Sequence, residues 1–352
     1  MPIKGKINFE EAFELPALAD SSRDQAALYI APKDLDRYLD HIKHPVGERL
    51  DLANSHGIGY TIYSYTVPGI QGIADKAKAE KHATDVNNWI ANEIKDHRDQ
   101  LGAFAALSMH DPVQAGNELE RCVKQFGFHG ALLNNFQHSG PDGETYLYYD
   151  QPAYDVFWEK CVELDVPIYL HPSAAAGNYY NQVWAQRKYL IGPPLSFAND
   201  VSVHIMGLIT NGVFDRHPKA KLLVGHLGEH LPFDFWRTNH WLEDVERPLA
   251  SSRGDTMSQK PLLHYFKNNI WVTTSGHFST QTVKYVADYL GPERIIFSID
   301  TPYETVQNGA GWFDGDEKAL AEALGGAEGY KKVACDNAKK IFKLTKYHNS
   351  DV

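Results

Sequence analysis

The sequence is poor in cysteine, and the three cysteines that it has are scattered. Cys122, Cys161 and Cys335 are odd in number, lie far apart and form no Cys-x-x-Cys pattern. This distribution indicates neither a disulfide framework nor a thiolate zinc site. We therefore expect three ordinary reduced thiols that are partly buried.

Positive charge and long apolar runs are also lacking. The 34 Lys and Arg residues are outnumbered by 45 Asp and Glu residues, which gives a net charge of −11. A chain of this charge has no electrostatic basis for binding nucleic acid or an anionic membrane.

No apolar run approaches the roughly 18 residues of a membrane-spanning helix. The chain starts with Met-Pro-Ile-Lys-Gly-Lys, without the apolar core of a signal peptide. We expect a cytoplasmic protein with neither a membrane nor a nucleic acid as partner.

Nucleotide-binding signatures are missing as well. No predicted strand is followed by Gly-x-Gly-x-x-Gly or by Gly-Lys-[Ser/Thr]. The dinucleotide-binding and phosphate-loop folds therefore lack their characteristic turn. This argues against an open doubly wound sheet, which is the main alternative for a chain that alternates strands and helices.

The sequence does contain a regular alternation of strand-like and helix-like segments. Eight short apolar runs have the length of buried strands, and helix-compatible segments lie between them. The predicted strands cover residues 6–9, 58–63, 101–107, 128–133, 167–171, 221–224, 269–274 and 294–299, and the predicted helices include 33–55, 198–213 and 233–242. With 352 residues and 43% hydrophobic content, the chain can bury the core that such a fold requires.

This alternation predicts an α/β fold, a closed (β/α)₈ TIM barrel, as a single domain over residues 1–352. Residues 173–197 are long, irregular and rich in Gly, Pro, Tyr and Asn. A stretch of this kind in a compact domain is usually functional, so we expect an insertion that forms a lid or a pocket wall. A helical segment is predicted to end the chain.

Four of the predicted strands end close to a carboxylate or an imidazole. Glu10, His171, His226 and Asp300 follow strands one, five, six and eight, and in such a barrel the C-terminal strand ends meet on one face. Two carboxylates and two imidazoles there suit a divalent cation with an acid–base group beside it. The alternative is a structural role for each residue, as a loop carboxylate, a helix cap and two hydrogen-bonded histidines.

Two further residues extend this set by their spacing. Glu229 lies three residues after His226, close enough to contact it in a helical turn, where it would fix the tautomer of the imidazole and raise its basicity. Arg237 lies eleven residues after His226, about three helical turns, so it could clamp a carboxylate on the same face. The alternatives are a surface ion pair and a solvated arginine.

Eight segments together have a combination typical of one family. They are Gly5-Lys-Ile-Asn-Phe-Glu-Glu-Ala-Phe-Glu-Leu-Pro, Tyr29-Ile-Ala-Pro, His56-Gly-Ile-Gly-Tyr-Thr-Ile-Tyr-Ser, Gly102-Ala-Phe-Ala-Ala-Leu-Ser-Met-His-Asp-Pro, Tyr169-Leu-His-Pro, Gly192-Pro-Pro-Leu-Ser-Phe-Ala, Gly225-His-Leu-Gly-Glu-His and Phe297-Ser-Ile-Asp-Thr-Pro-Tyr-Glu. They resemble the fungal salicylate and 2,3-dihydroxybenzoate decarboxylases. These are metal-dependent, non-oxidative ortho-hydroxybenzoate decarboxylases of the ACMS decarboxylase-like branch of the amidohydrolase superfamily. The likeness covers essentially the whole chain.

The resemblance implies an amidohydrolase-like barrel and a role for each matched residue. Glu10, His171 and Asp300 are implied to hold one divalent metal ion, which would be Zn, Mg or Mn, with Zn or Mg favoured. His226 with Glu229 is implied to form the catalytic dyad.

The resemblance also bears on the substrate and on assembly. It implies that Arg237 lies near the substrate carboxylate and that the chain forms a homodimer or a homotetramer.

The first-strand His-x-His of the superfamily is absent, because Ala12 stands where the second ligand would be. At most three protein ligands then remain from the matched positions, which leaves places for water or a chelating substrate.

The implied activity is reversible conversion of 2,3-dihydroxybenzoate or salicylate to catechol or phenol plus CO₂. We expect Asp300 to deliver a proton to the ring carbon, with His226 and Glu229 handling the phenolic proton. Tyr65, Phe197 and Tyr303 are candidate pocket walls, although core packing explains each as well. A methylated acid such as an orsellinate stays open as substrate. The alternative functions are a metal-dependent hydrolase of amides or lactones on the same barrel and a non-catalytic barrel.

Overall fold

The computed structural model describes residues 3–18, 23, 26 and 28–350. The strands are β1 (Lys6–Phe13), β2 (Ile58–Tyr65), β3 (Leu101–Ala103), β4 (Ala131–Asn134), β5 (Gln137–Ser139), β6 (Thr145–Leu147), β7 (Ile168–His171), β8 (Leu222–Val224), β9 (Ile270–Thr273) and β10 (Ile295–Ile296). Strands β5 and β6 form an antiparallel hairpin, and the pairings among the other eight are all parallel. These eight strands correspond to the eight that the sequence predicts.

The eight parallel strands close into a barrel. Two sheets, in the orders β1-β2-β3 and β4-β7-β8-β9-β10, are joined at one seam by a parallel bridge between Ala105 and Ala131. At the other seam, between β10 and β1, the Ala12 N–H donates to the Thr301 carbonyl at 2.7 Å. The backbone N–H groups of Phe9 and Glu10 also donate there to the Ser298 hydroxyl. The predicted TIM barrel is confirmed.

Helices cover the outside of the barrel. The α-helices are Leu35–Lys43, Glu48–Ser55, Lys76–Glu93, Pro112–Phe126, Asp155–Leu164, Gly177–Tyr179, Ser196–Thr210, Val213–Arg216, Leu231–Trp241, Arg247–Arg253, Leu262–Asn268, Thr280–Leu290, Val306–Gly315, Glu317–Ala323, Ala327–Lys331 and Asn337–Phe342. Every residue of β1 and of β2 is buried. Such two-sided burial follows from the architecture, because one face of each strand packs inside the barrel and the other against the helices.

The barrel interior is filled with large side chains and closed at its bottom by the end of the chain. Phe9 and Phe104 pack against Phe342, with ring centroids 4.9 and 5.8 Å apart. Tyr347 packs on Tyr60 and donates its hydroxyl to the carbonyl of Gly5. The predicted C-terminal helical segment is therefore a plug beneath the barrel.

Several predicted boundaries were wrong. Strand β3 ends at Ala103 rather than at residue 107, and β10 ends at Ile296 rather than at residue 299. Beyond these limits the backbone N–H groups of Ala106 and Ser298 donate to the side chains of Asn87 and Thr274. The predicted helix 33–55 is interrupted between Lys43 and Glu48, where Pro45 and Gly47 interrupt helical geometry. The insertion at 173–197 contains short helical turns rather than one regular element.

Two expectations from composition can be compared with the structure. All three cysteines are free and buried, so the expected thiols are present. None of the helices that the structure describes combines the length and the apolar character needed to cross a bilayer.

Candidate active site

Four side chains converge at the C-terminal end of the barrel. Glu10 lies on β1, His171 is the last residue of β7, His226 follows β8, and Asp300 follows β10. Ligand-type atoms of Glu10, His171 and Asp300 all lie within 4.8 Å of one another. The Glu10 Oε1 atom is 3.3 Å from His171 Nε2 and 3.6 Å from His226 Nε2.

The position of Glu10 is set by an irregularity in β1. The pairing of β1 with β2 shifts register between Asn8 and Glu11, which frees backbone N–H groups to bond to Ser298. Such bulges re-aim side chains next to active sites. The Tyr169 hydroxyl donates to Glu10 Oε2, so one carboxylate oxygen is fixed from inside the barrel. Glu10 is 3% exposed.

The other carboxylate oxygen of Glu10 lacks a partner. Glu10 Oε1 is buried and has no hydrogen-bond partner among the described residues. Burial opposes ionisation, but the charge of His226, the neighbouring His171 ring and Ser275 outweigh it and lower the pKa of Glu10 to about 2. The site therefore contains a buried carboxylate oxygen with free acceptor capacity, which is costly unless a cation or donor binds there.

His171 is oriented so that one ring nitrogen faces Glu10. Its Nδ1 lies 2.7 Å from the Pro172 carbonyl and 3.1 Å from Asn134 Oδ1, both of which can only accept. Nδ1 therefore carries the proton, and Nε2 is left as a lone-pair donor. A metal-binding histidine typically has this arrangement, with a carbonyl or carboxylate holding the distal nitrogen.

His226 and Glu229 contact each other, although not through the expected helical turn. Three residues here, His226, Leu227 and Glu229, have positive φ angles of 51°, 57° and 57°, and the segment lies before the helix Leu231–Trp241. The His226 Nδ1 atom is 2.7 Å from Glu229 Oε1. Left-handed residues outside glycine are uncommon and concentrate at functional sites.

The dyad favours a charged imidazole. Burial disfavours the imidazolium, but the negative charges of Glu229 and Glu10 outweigh it and hold the pKa of His226 well above its ordinary value. Since Glu229 accepts the Nδ1 proton, the Nε2 atom is directed at the cluster, 3.7 Å from Asp300 Oδ2. This arrangement can hold or transfer a proton at Nε2.

Asp300 is held in an unusual backbone conformation at the seam of the barrel. Its φ angle is 85°, and its side chain is 17% exposed. Burial, reinforced by the charge of Glu10, raises the pKa of Asp300 to about 6 against the opposing effect of the nearby His226 ring. Without a cation, the carboxyl group can therefore carry a proton close to neutral pH.

A cavity opens above this cluster. It measures about 620 Å³ including its open mouth, and its lining is mainly apolar or aromatic around the charged groups: Tyr29, Val67, His171, Pro193, Phe197, His226, Gly276, Asp300, Tyr303 and Glu304. Two of the predicted pocket walls, Phe197 and Tyr303, are present in this lining. A Cβ atom at Gly276 would lie 3.2 Å from the His226 ring and 3.4 Å from Asp300, so glycine there keeps the cavity open to the dyad.

Two predicted residues are placed differently. Tyr65 lines a small adjoining cavity together with Glu10 and Asp300, and its hydroxyl bonds to His82. Arg237 is exposed on the helix Leu231–Trp241 and does not line the cavity above the cluster. The structure thus brings together Glu10, His171, His226, Glu229, Asp300, Phe197 and Tyr303, but not Arg237.

Sequence reasoning missed the side chains that hold the cluster in place. Tyr169 stands two residues before His171 on β7, and Asn134 ends β4. A strand end bearing a polar residue, such as Asn134, was the available signal. The available signal for Tyr169 was the alternation of side chains along a strand, which places residues 169 and 171 on the same face.

The cluster suits a divalent cation. It offers two carboxylates and one neutral imidazole nitrogen, and Glu10 Oε1 has acceptor capacity that no described residue uses. An oxygen-rich set with one imidazole accommodates Mn or Mg as well as Zn. The residues present therefore fit a metal ion.

Comparisons with known proteins identify the family to which the chain belongs. Residues 39–344 match the family model described as Amidohydrolase. The gamma-resorcylate decarboxylase of Rhizobium sp. (strain MTP-10005) is 36% identical over 346 residues, which covers 97% of this chain and 99% of the relative. The crystal structure of 2,6-dihydroxybenzoate decarboxylase complexed with 2,6-dihydroxybenzoate is 34% identical, with a TM-score of 0.87 over 97% of this chain and 100% of that one.

A further solved structure adds a metal. It is the dihydroxybenzoic acid decarboxylase from Polaromonas sp. JS666 with bound manganese and the inhibitor 2-nitroresorcinol. That protein is 33% identical, with a TM-score of 0.87 over 99% of this chain and 100% of that one. At the level of a hydroxybenzoate decarboxylase family, the resemblance expected from the motifs is confirmed. The chain therefore belongs to the amidohydrolase family, among its decarboxylases.

Proposed function

We propose that this carboxy-lyase is a metal-dependent, non-oxidative decarboxylase of benzoates with a hydroxyl group ortho to the carboxylate. The leading substrate is 2,6-dihydroxybenzoate, also called gamma-resorcylate, since relatives that cover nearly the whole chain bear that name. Salicylate and 2,3-dihydroxybenzoate remain the substrates that the motif resemblance implies. The observation that carries the proposal is the unpartnered Glu10 oxygen beside His171 and Asp300, within reach of the His226–Glu229 pair.

Glu10, His171 and Asp300 are proposed to hold one divalent cation. Manganese is the first candidate, because the structure from Polaromonas contains it, and Zn and Mg remain the alternatives. When bound, the cation would supply Lewis acidity that lowers the pKa of the substrate phenol and fixes the orientation of the ring.

The chemistry requires protonation of the ring before the C–C bond breaks. Direct loss of CO₂ from a benzoate would leave an aryl carbanion in the ring plane, where its charge cannot be delocalised. An ionised ortho hydroxyl places electron density on the carboxyl-bearing carbon, which can then accept a proton. Asp300 is the proposed donor, because it lies in the cluster and lines the cavity.

His226 and Glu229 have the complementary role. In this proposal the bound cation would oppose the positive charge on His226, so that the neutral imidazole can accept the phenolic proton at Nε2, and Glu229 stabilises the resulting imidazolium through Nδ1. The aromatic walls Phe197 and Tyr303 pack against the ring of the substrate and exclude water. Arg237 stays a proposed partner of the substrate carboxylate. Its exposed position means that it would have to turn toward the cavity when substrate binds.

A hydrolase on the same barrel is the competing function. Both enzymes would use the metal site, but the relatives described above are decarboxylases, which favours CO₂ release over attack by water.

The test is an ultraviolet assay on purified protein that has been stripped of metal and reloaded with Mn²⁺. We expect turnover of 2,6-dihydroxybenzoate, 2,3-dihydroxybenzoate or salicylate, and none of 4-hydroxybenzoate, which lacks the ortho hydroxyl. Asp300→Asn should abolish this turnover, and Glu10→Ala should abolish metal binding. Hydrolysis of an amide or lactone without release of CO₂, and no turnover of any ortho-hydroxybenzoate, would contradict the proposal.

A further inference from the structure

We propose that Arg49 is a positioning residue that sets the distance between the metal-binding carboxylates of Glu10 and Asp300. The inference rests on the proposed function, because it concerns the same metal site. Arg49 lies on the helix Glu48–Ser55, outside the barrel, and its side chain is 4% exposed. It lines neither the cavity above the cluster nor the small cavity next to Glu10, so its effect on the metal must pass through other residues.

The guanidinium group connects three separate segments of the chain. One terminal nitrogen, Nη1, donates to the carbonyls of Ala12 at 2.6 Å and of His41 at 3.0 Å. The other, Nη2, donates to the Thr301 carbonyl at 3.2 Å and to the Thr301 hydroxyl at 2.8 Å. Ala12 lies two residues after Glu10, and Thr301 directly follows Asp300. Arg49 therefore holds together the two segments that carry the acidic ligands.

This link lies where the barrel has few other bonds. Strand β10 contains only Ile295–Ile296, and none of the described ladders pairs it with β1. Beyond the bonds to Ser298, the seam is held at this level by the Ala12 N–H bond to the Thr301 carbonyl. The same carbonyl accepts from Arg49. The Arg49 bonds thus take the place of a strand ladder at the level of the metal site.

Glu11, which directly follows the proposed metal ligand Glu10, also belongs to this network around Arg49. The Thr301 hydroxyl donates to the Glu11 carboxylate, and Arg49 Nη2 lies 3.6 Å from Glu11 Oε2. Arg49 and Glu11 are both buried, at 5% and 2% exposure. A buried polar or ionic contact is seldom the most stabilising choice for a site, and its best-supported role is to specify one arrangement.

Lysine could not replace this arginine. The planar guanidinium presents donors in a fixed fork, and here it bonds to three segments at once. An ammonium group is a compact point charge on a flexible stem, so it cannot reproduce the fixed spacing and direction of the guanidinium donors. Since mutation of the residues that hold metal ligands in place typically costs 10–100-fold in metal affinity, Arg49→Lys should weaken metal binding by that factor.

The experiment measures Mn²⁺ affinity of metal-depleted protein by electron paramagnetic resonance of the free ion, alongside thermal unfolding. The control is Lys6→Met. Lys6 is also a fully buried cation on β1, paired with Asp314 at 2.7 Å, but it lies four residues before Glu10, about 13 Å away along the strand. We expect both variants to lose thermal stability and only Arg49→Lys to bind Mn²⁺ 10–100-fold more weakly. Thr301→Val, which removes the shared hydroxyl, should give a smaller loss of affinity and keeps the test available if Arg49→Lys does not fold.

The outcomes separate this inference from the proposed function. Wild-type affinity for Mn²⁺ in folded Arg49→Lys and Thr301→Val would overturn the positioning role, even if the wild type decarboxylates ortho-hydroxybenzoates. An equal loss of affinity in Lys6→Met would also overturn it, because the effect would then follow stability alone. If the wild type binds Mn²⁺ but turns over no hydroxybenzoate, a selective effect of Arg49→Lys still supports the positioning role while the proposed function fails. A wild type that binds no divalent metal defeats both.

Discussion

His204 makes the fold sensitive to acid, and the size of the effect can be worked out from its surroundings. The ring is fully buried. Its Nε2 accepts the backbone N–H of Tyr149 at 3.0 Å, so the proton lies on Nδ1, which faces Asn135 Oδ1 at 3.2 Å. A second proton on Nε2 would face an N–H donor. Burial lowers the pKa of His204 to about 3.

A depressed histidine pKa gives stability that is lost in acid. Because the unfolded chain binds a proton near pH 6.5 and the folded chain only near pH 3, stability is fully present above pH 6.5 and decreases as the pH falls toward 3. Each pH unit in this window costs about 1.4 kcal/mol, so His204 should remove about 3 kcal/mol between pH 6.5 and 4.5. The loss also reaches the site, because the Asn135 N–H donates to the His171 carbonyl.

The assay is urea unfolding of the wild type and of His204→Gln from pH 7.5 to 4.5. The variant should be less stable at pH 7.5, since a packed ring is lost. The difference in unfolding free energy between the two proteins should then shrink by about 1.4 kcal/mol per unit below pH 6.5. His44→Gln is the matched control, because it removes an imidazole that is more than half exposed. A constant difference between wild type and His204→Gln across the whole range would refute the reasoning.

Three further predictions concern the site and the surface. Glu229→Gln should lower kcat about 100-fold or more, because the His226 imidazolium loses its carboxylate partner. Stopped-flow measurement of decarboxylation at saturating substrate checks this, and an unchanged kcat would show that Glu229 does not take part in catalysis. Mn²⁺ at 100 times its Kd should stabilise the wild type by about 2.7 kcal/mol, seen as a rise in Tm, and an equal rise in Glu10→Ala would show that the ion binds elsewhere. Phe233 and Trp236 are 80% and 71% exposed on one helix, an apolar area that a homo-oligomer would cover. Light scattering should therefore report a dimer or larger assembly that Phe233→Ser with Trp236→Ser weakens, and a monomeric wild type would contradict the proposed assembly.

The barrel and the four central side chains were predictable because both follow from local patterns. Parallel strands buried on two faces are short apolar runs, and the residues that end those runs meet at one rim. Glu10, His171, His226 and Asp300 could therefore be found without a structure. The limits of β3 and β10 could not, because the backbone groups beyond them bond to side chains that are distant in the sequence.

The positions of the residues around these four side chains were not predictable for a related reason. Arg49 stands in a polar, helix-compatible stretch, and its bond to Thr301 spans 252 positions of the chain. The contact of His226 with Glu229 was inferred from helical spacing, whereas the structure forms it through left-handed residues. The face on which Arg237 lies depends on where its helix begins, and the sequence did not fix that start at Leu231.

The plug of Phe342 and Tyr347 has a consequence for biosynthesis. They leave the ribosome long after Phe9 and Tyr60, which they contact and which lie on β1 and β2. The nascent chain must therefore keep these two strands in an unfinished state until Phe342 and Tyr347 have emerged, with aromatic surface exposed to solvent or to chaperones. A stop codon just before Phe342 would deliver a polypeptide with every proposed metal ligand and catalytic residue but an unsealed interior.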